Sequence, residues 1–208
     1  MKIAILGGTG KMGSALARQL AKSHEVIIGS RDPAKAREAA KGIRGARGTD
    51  YQTASKEADS AVVSLPYSAI GALGGLSGAL AGKLVVSVVN PLKFEDGLLH
   101  DSMEKGSAAQ ELARALPKSR VVTAFNNVPA RFFTKDEVMA MDILVAAPSK
   151  EVFEEAAKLV RSIPNLRPLY AGPLTEAETV ERMTALVLNL ANLNGTGVLT
   201  TRFVSAGG

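Results

Sequence analysis

The chain has 208 residues, 46% of them hydrophobic and 22% charged, enough for one sizeable α/β domain with its own core and too few for two large independent ones. Its net charge of +5 and pI near 9.5 suit anionic ligands. The basic residues are scattered among Asp and Glu, however, and do not form the clustered basic face that nucleic acid binding requires. With no cysteine and only His24 and His100, there is no disulfide framework, no thiolate chemistry and no Cys-built metal site, and no metal is expected.

The N-terminus carries no apolar run of roughly 7–15 residues ahead of a cleavage site, and no stretch is long enough to span a bilayer. A cytoplasmic protein with no membrane partner is expected. Lys2–Leu6 reads as a short apolar strand, running into GGTGKMG at positions 7 to 13. Within that loop Gly8, Gly10 and Gly13 satisfy G-x-G-x-x-G, with a predicted helix over 11–22 and a second apolar strand over 25–29. In a dinucleotide-binding unit the first glycine permits the tight turn, the second admits a pyrophosphate, and the third lets helix and strand pack closely. The free N–H groups of the helix then face the phosphates. An NAD-preferring site carries Asp or Glu at the end of its second strand, but this chain reads Gly29-Ser30-Arg31. Ser30 can donate a hydrogen bond and Arg31 can grip phosphate oxygens, with Thr9 and Lys35 as further donors, so the preferred cofactor is NADP.

Asp32-Pro33 starts a helix to about Lys41, and the glycine-rich, basic stretch 42–48 reads as a mobile surface connector. A short segment over 51–58 precedes an apolar strand over 60–65, whose carboxyl end places Leu65, Pro66 and Tyr67 along the cofactor crevice. Residues 68–82 read as a loosely specified or broken helix. Residues 84–89 form a valine-rich strand buried on both faces, ending at Asn90-Pro91, where an amide could meet a nicotinamide or ribose and the proline stops the strand. A polar excursion containing His100 follows; Ser107 then caps a helix over 108–116. The next strand, 120–125, ends in Asn126-Asn127-Val128-Pro129. Two adjacent amides there must bind either backbone in a turn or a ligand, and the ligand is favoured.

A further buried strand is predicted over 142–147, a helix over Lys150–Arg161 and a short strand over 169–171. A final helix over 175–194 carries Val180, Met183, Val187 and Leu190 as an apolar stripe, with Leu186 and Leu193 beside it. That stripe could close the crevice, build a dimer interface or complete the core. The pattern as a whole is α/β: a Rossmann-type, doubly wound, mostly parallel sheet over residues 1–172, with a C-terminal helical segment, 173–208, docked on it.

Acid–base and nucleophilic machinery is nearly absent, with no G-x-S-x-G elbow and no H-E-x-x-H. Hydride transfer between two bound carriers needs mainly proximity, orientation and a dry contact, so no catalytic side chain is assigned. The glycine loop, Gly29-Ser30-Arg31, Gly106-Ser107-Ala108-Ala109-Gln110-Glu111, the stretch 121–130 and Leu166-Arg167-Pro168-Leu169-Tyr170-Ala171-Gly172-Pro173-Leu174 occur in the order and spacing of a known family. The chain resembles the NADPH-dependent reductases of coenzyme F420, the F420:NADP oxidoreductases, over essentially its full length, including Leu188-Asn189 and Asn194-Gly195 in the closing helix.

In that family nicotinamide and deazaflavin stack in one cleft, and hydride passes between nicotinamide C4 and deazaflavin C5. The resemblance implies NADP and coenzyme F420 as the two small-molecule cofactors and a homodimer as the assembly. It puts Thr9, Ser30, Arg31 and Lys35 at the 2′-phosphate, and Lys11 and Met12 by the pyrophosphate and nicotinamide. Leu65, Pro66 and Tyr67 would line the wall with Asn90 and Pro91 nearby, and Asn126, Asn127, Val128 and Pro129 would face the deazaflavin. Some members carry His where this chain has Asn126, which can still hydrogen-bond a ring carbonyl but carries no charge near neutral pH. Two other readings stay open: an NADPH-dependent reductase of another acceptor, such as an imine, a flavin or a ferric chelate, and a non-catalytic NADP-sensing protein.

Overall fold

In β1 (Lys2–Leu6), Ile3 and Ile5 point into one hydrophobic cluster and Ala4 and Leu6 into another, all four fully buried. This period-two split repeats in β4 (Ser60–Val63), β5 (Leu84–Ser87) and β8 (Arg120–Thr123). A strand covered on both faces can be apolar at every position, which is why these segments read as continuous runs. The computed structural model describes residues 1–135 and 138–205. It contains one sheet of eight strands, in the order β10-β9-β8-β5-β4-β1-β2-β3, and a separate two-stranded ribbon, β6-β7. The ladders are parallel from β3 (Ala46–Asp50) and β2 (Glu25–Ser30) across to β8. β9 (Met141–Ala146) meets β8 antiparallel, at Thr123–Ala146, and β10 (Leu166–Gly172) runs parallel to β9.

Helices α1 (Lys11–Leu20), α2 (Pro33–Lys41) and α5 (Lys150–Arg161) cover one face. Helices α3 (Tyr51–Glu57) and α4 (Ala108–Ala115) cover the other, together with short 3-10 turns at Tyr67–Ala69 and Gly71–Leu76. β1 lies between β2 and β4. The chain steps outward from β1 in opposite directions there, which opens a crevice at the carboxyl ends of the strands.

Three expectations are corrected. The basic connector at 42–48 enters the sheet as β3. Gly48 makes this possible, because a Cβ there would lie 2.1 Å from the Ala36 carbonyl carbon, so α2 can rest on the strand only with no side chain between them. The polar excursion around His100 is a β-hairpin, β6 (Leu92–Glu95) and β7 (Leu98–Asp101). The closing helix α6 (Ala177–Asn194) buries Val180 and Val187, but Leu186, Leu190 and Leu193 are exposed. The apolar stripe is thus only partly used within the chain, as α6 packs on α4, β7 and β9.

Candidate functional site

The turn leaving β1 takes its left-handed residue at Gly7 (φ 92°) and not at Gly8, the first glycine of the motif. Gly8 is a close-approach residue instead, since a Cβ there would lie 2.8 Å from Ile28 Cγ2. Gly13 is the most confined of the three, with a Cβ that would stand 2.5 Å from the Gly7 carbonyl oxygen, so a side chain would push α1 off the strand. Gly10 differs: its Cβ would meet only the Gly7 oxygen, at 3.4 Å. The protein interior scarcely demands a glycine at position 10, and the space it leaves lies on the outer side of the loop. No side chain caps α1, so the first-turn N–H groups and the positive end of the helix dipole remain for a ligand. This donor set fits a pyrophosphate.

At the end of β2, Ser30 is 8% exposed; its Oγ accepts from the Asp32 N–H (3.2 Å) and keeps its own proton to donate. The Asp32 carboxylate is occupied in capping α2, accepting from the N–H groups of Ala34 (2.9 Å) and Lys35 (3.3 Å). Among the described residues Arg31, Lys35 and Lys11 form no ion pair. Thr9, Lys11, Arg31 and Lys35 are all exposed, and Ser30, Arg31 and Lys35 follow closely in sequence from the end of β2 into α2. Tyr51 was missed by the sequence reading. Its ring lies beside Gly29, whose Cβ would be 3.1 Å from Tyr51 Cδ1, and burial raises its hydroxyl pKa while the Arg31 charge opposes that rise. The sequence marks 51–58 only as a short segment before a strand, which gives no sign of Tyr51.

Across the crevice, Leu65 packs over Gly7 and Pro66 is exposed. The Tyr67 hydroxyl donates to Glu111 Oε1 (2.9 Å), and burial together with that carboxylate raises its pKa. Pro91 is buried, its carbonyl accepting from both the N–H (2.6 Å) and the Oγ (2.9 Å) of Ser102.

Beyond Met12 on α1 the crevice opens into an apolar cavity of about 220 Å³. One side is built by Val88, Asn90 and Leu92, the floor by residues 126–130, and the far wall by Thr184, Val187 and Leu188 of α6. Among the described residues no ionisable side chain lines it. Asn90, Asn126, Asn127, Val128 and Pro129 are brought together here, as their strand-end positions suggested. Closing the crevice is one of the three roles left open for the α6 stripe, and Val187 takes it; Thr184 and Leu188 lie outside the named stripe, and a threonine within an apolar helical pattern gives no sign of which way it faces.

The expectation that both adjacent amides are offered to a ligand is corrected by their partners. After β8 the chain turns through Phe125 at φ 64°, an unfavourable conformation for a large side chain. The buried turn is held by amides. Asn126 Nδ2 donates to Val89 O and Asn90 Oδ1, both at 3.0 Å, while its Oδ1 accepts from Thr123 Oγ1 at 2.6 Å. Its carbonyl accepts from Asn90 Nδ2 (3.2 Å) and Thr184 Oγ1 (2.8 Å). Asn127 Nδ2 donates to Asp142 O and Thr201 Oγ1, each at 2.7 Å. These amides hold the cavity's shape.

The C-terminal segment braces the same floor. Buried Asp142 receives a forked pair from Arg167 (2.7 and 2.8 Å) and the Phe203 N–H. The Arg167 hydrogen bonds hold the Asp142 carboxyl below the usual carboxylate range, against the opposing effect of burial. On the hairpin, Asn189 of α6 pairs with both backbone groups of Leu99, at 2.8 Å each.

Residues 2–91 match the family model described as NADP oxidoreductase, coenzyme F420-dependent. The chain is 36% identical to the F420-dependent NADP reductase of Methanocaldococcus jannaschii, covering 97% of this chain and 98% of that protein. It is 34% identical to the F420-dependent NADP reductase of Methanothermobacter marburgensis, covering 91% and 92%. A crystal structure from Arthrobacter sp. FB24 superposes with a TM-score of 0.87 at 25% identity, covering 99% of this chain and 100% of that one. An imine reductase from Streptomyces aurantiacus shares the fold, with a TM-score of 0.66 at 19% identity over 93% and 64%. With the two archaeal reductases matched over 98% and 92% of their length, and a glycine loop whose helix also lines an apolar cavity, this protein belongs to the family of coenzyme F420-dependent NADP oxidoreductases.

Proposed function

We propose that this protein transfers a hydride between NADP(H) and coenzyme F420, with the dinucleotide along the β1–α1 loop and the deazaflavin in the apolar cavity. The observation that carries this reading is the continuity of the two spaces: Met12, in the first turn of the glycine-loop helix, also lines the cavity. Gly10 and the uncapped start of α1 would hold the pyrophosphate, and Thr9, Ser30, Arg31 and Lys35 the 2′-phosphate. Val128, Pro129, Val187 and Leu188 would exclude water around the reacting rings. The two carriers supply the redox chemistry themselves, and the protein supplies proximity, orientation and a dry contact. An uncharged cavity suits this task. Reduction of an imine or another acceptor that must be protonated in place would be helped by an acid within reach, and none of the described residues that line this cavity is one.

Mixing the purified protein with NADPH and oxidised coenzyme F420 should bleach the deazaflavin absorbance. Tight NADPH binding without that turnover would refute the acceptor assignment, and turnover on an imine, a flavin or a ferric chelate would replace it.

The functional unit in this reading is a homodimer. Leu186, Leu190 and Leu193 recur at i, i+4 and i+7 with exposures of 58%, 43% and 68%, and Phe94 of the neighbouring hairpin is 72% exposed. An apolar face of this kind is suited to a second copy about a two-fold axis. Sedimentation should give a dimer, and Leu190→Glu a monomer. We place the enzyme in the cytoplasm, where both carriers would be free to diffuse; among the described residues no helix is long and apolar enough to cross a membrane.

A further inference from the structure

The first turn of α4 has its N–H groups satisfied in an unusual way. Ser107 caps conventionally, its Oγ accepting from Gln110 N–H (3.1 Å). The N–H of Ala108 donates to Glu181 Oε2 (2.7 Å) and that of Ala109 to Glu181 Oε1 (3.0 Å). Two residues before Ala108, Gly106 N–H donates to Glu178 Oε2 (2.8 Å). Two carboxylates of α6 thus complete the amino end of another helix. Glu181 is 1% exposed, and Ala109 of α4, Ala146 of β9 and Ala177 of α6 form a small buried cluster where these elements meet. These small residues let α6 approach closely enough for the carboxylate to reach the backbone. No step of the proposed reaction uses Glu181.

One turn further along α6, Thr184 donates to the Asn126 carbonyl and lines the cavity, followed by Val187 and Leu188. The bond pattern at Glu181 therefore sets the register and depth of the helix immediately before it becomes the cavity wall. Resting on the acceptor-site reading above, we infer that Glu181 is a positioning residue: by seating both carboxylate oxygens on the first turn of α4, it fixes where α6 lays Thr184, Val187 and Leu188 against the bound acceptor.

The surroundings agree with a dedicated role. Asp101 of β7 and Glu111 of α4 face Glu181 with like charge. Arg182 is drawn away to Asp101 and Glu178, both at 2.6 Å, and Tyr67 is engaged with Glu111. Burial outweighs the two N–H donors and pushes the Glu181 carboxyl up to about 7. Protonation places a donor where the ionised form accepts, so one of the two N–H contacts must loosen.

The test compares wild type with Glu181→Gln, which keeps the shape but can accept from only one of the two N–H groups. Amide exchange is followed with no ligand bound, and steady-state kinetics with NADPH and coenzyme F420. Exchange over residues 184–188 should quicken about tenfold in the variant while that of β1 and α1 is unchanged; equal exchange over 184–188 overturns the inference whether or not the wild type turns over coenzyme F420. In the kinetic arm the KM for coenzyme F420 should rise about tenfold with the NADPH Kd within twofold. The wild-type to variant ratio of that KM should change through pH 7, where titration of the substrate itself cancels. A parallel loss of NADPH affinity would mark general destabilisation and overturn the positioning role. Absence of wild-type turnover would refute the acceptor assignment alone. If Glu181→Gln does not fold, Glu181→Asp keeps the charge but shortens its reach and should shift exchange over 184–188 in the same direction, with unchanged exchange again overturning the inference.

Discussion

The two halves of the cleft are built by different means. The dinucleotide half is local: β1, the glycine loop, α1 and the end of β2 lie within the first thirty-one residues, and their chemistry is largely backbone chemistry. The acceptor half gathers the ends of β5 and β8, the 126–130 loop, the hairpin and α6, and buried polar side chains hold it together. A backbone-built site tolerates no added atoms where chain meets chain. A site built from side-chain networks tolerates no missing partner. The two halves should therefore fail in opposite ways.

The largest expected effect is at the tightest backbone contact. Gly13→Ala would place a Cβ 2.5 Å from the Gly7 carbonyl oxygen and should destabilise the fold by about 3 kcal/mol, read as a lower urea midpoint with NADPH binding also lost. A well-tolerated Gly13→Ala would show that this half is more plastic than its geometry implies.

On the acceptor side, Glu181 predicts a pH dependence of stability. With its folded value raised from 4.5 to about 7, the folded chain holds one more proton than the unfolded chain in that window. Its contribution is therefore full below about 4.5, falls as pH rises through 7 and is flat above. Urea unfolding at pH 5 and pH 8 should show the wild type losing on the order of 3 kcal/mol relative to Glu181→Gln. No difference between the two proteins would remove Glu181 as a titrating buried group.

Arg31→Ala tests the cationic edge and should not touch the fold. It should weaken NADPH binding by about 1.5–3 kcal/mol, leave NADH binding nearly unchanged and lower the preference between them accordingly. An unchanged preference would move the 2′-phosphate away from Arg31.

The smallest effect sharpens the comparison most. Gly10→Ala meets only one atom, at 3.4 Å, so its stability should stay within about 1 kcal/mol of wild type. NADPH affinity should nevertheless fall at least tenfold, because the added methyl would occupy the approach of the pyrophosphate.

Much of the dinucleotide half was legible in the residues. A strand, a glycine loop and a helix are local patterns, and the absence of an acid after Gly29 is visible without coordinates. Even there the details shifted, with the left-handed turn at Gly7 and Asp32 engaged by α2. β3 was hidden because an edge strand rich in Arg, Gly and Thr has no apolar run to announce it, and Gly48 reveals its purpose only once Ala36 is seen beside it. The hairpin was hidden in the same way by its exposed, polar faces.

In the acceptor half, the strand-end positions of Asn90 and Asn126-Asn127 marked the right place but not the direction their amides take. The doubly wound sheet, the glycine loop and the basic residues after β2 follow from short-range periodicity and residue chemistry, and so can be read from the residues. That the paired amides turn inward, that α6 forms the cavity wall and that Glu181 completes α4 emerges with the folded chain. Those outcomes depend on which distant backbone groups remain unsatisfied after the chain has folded, and no local pattern records that.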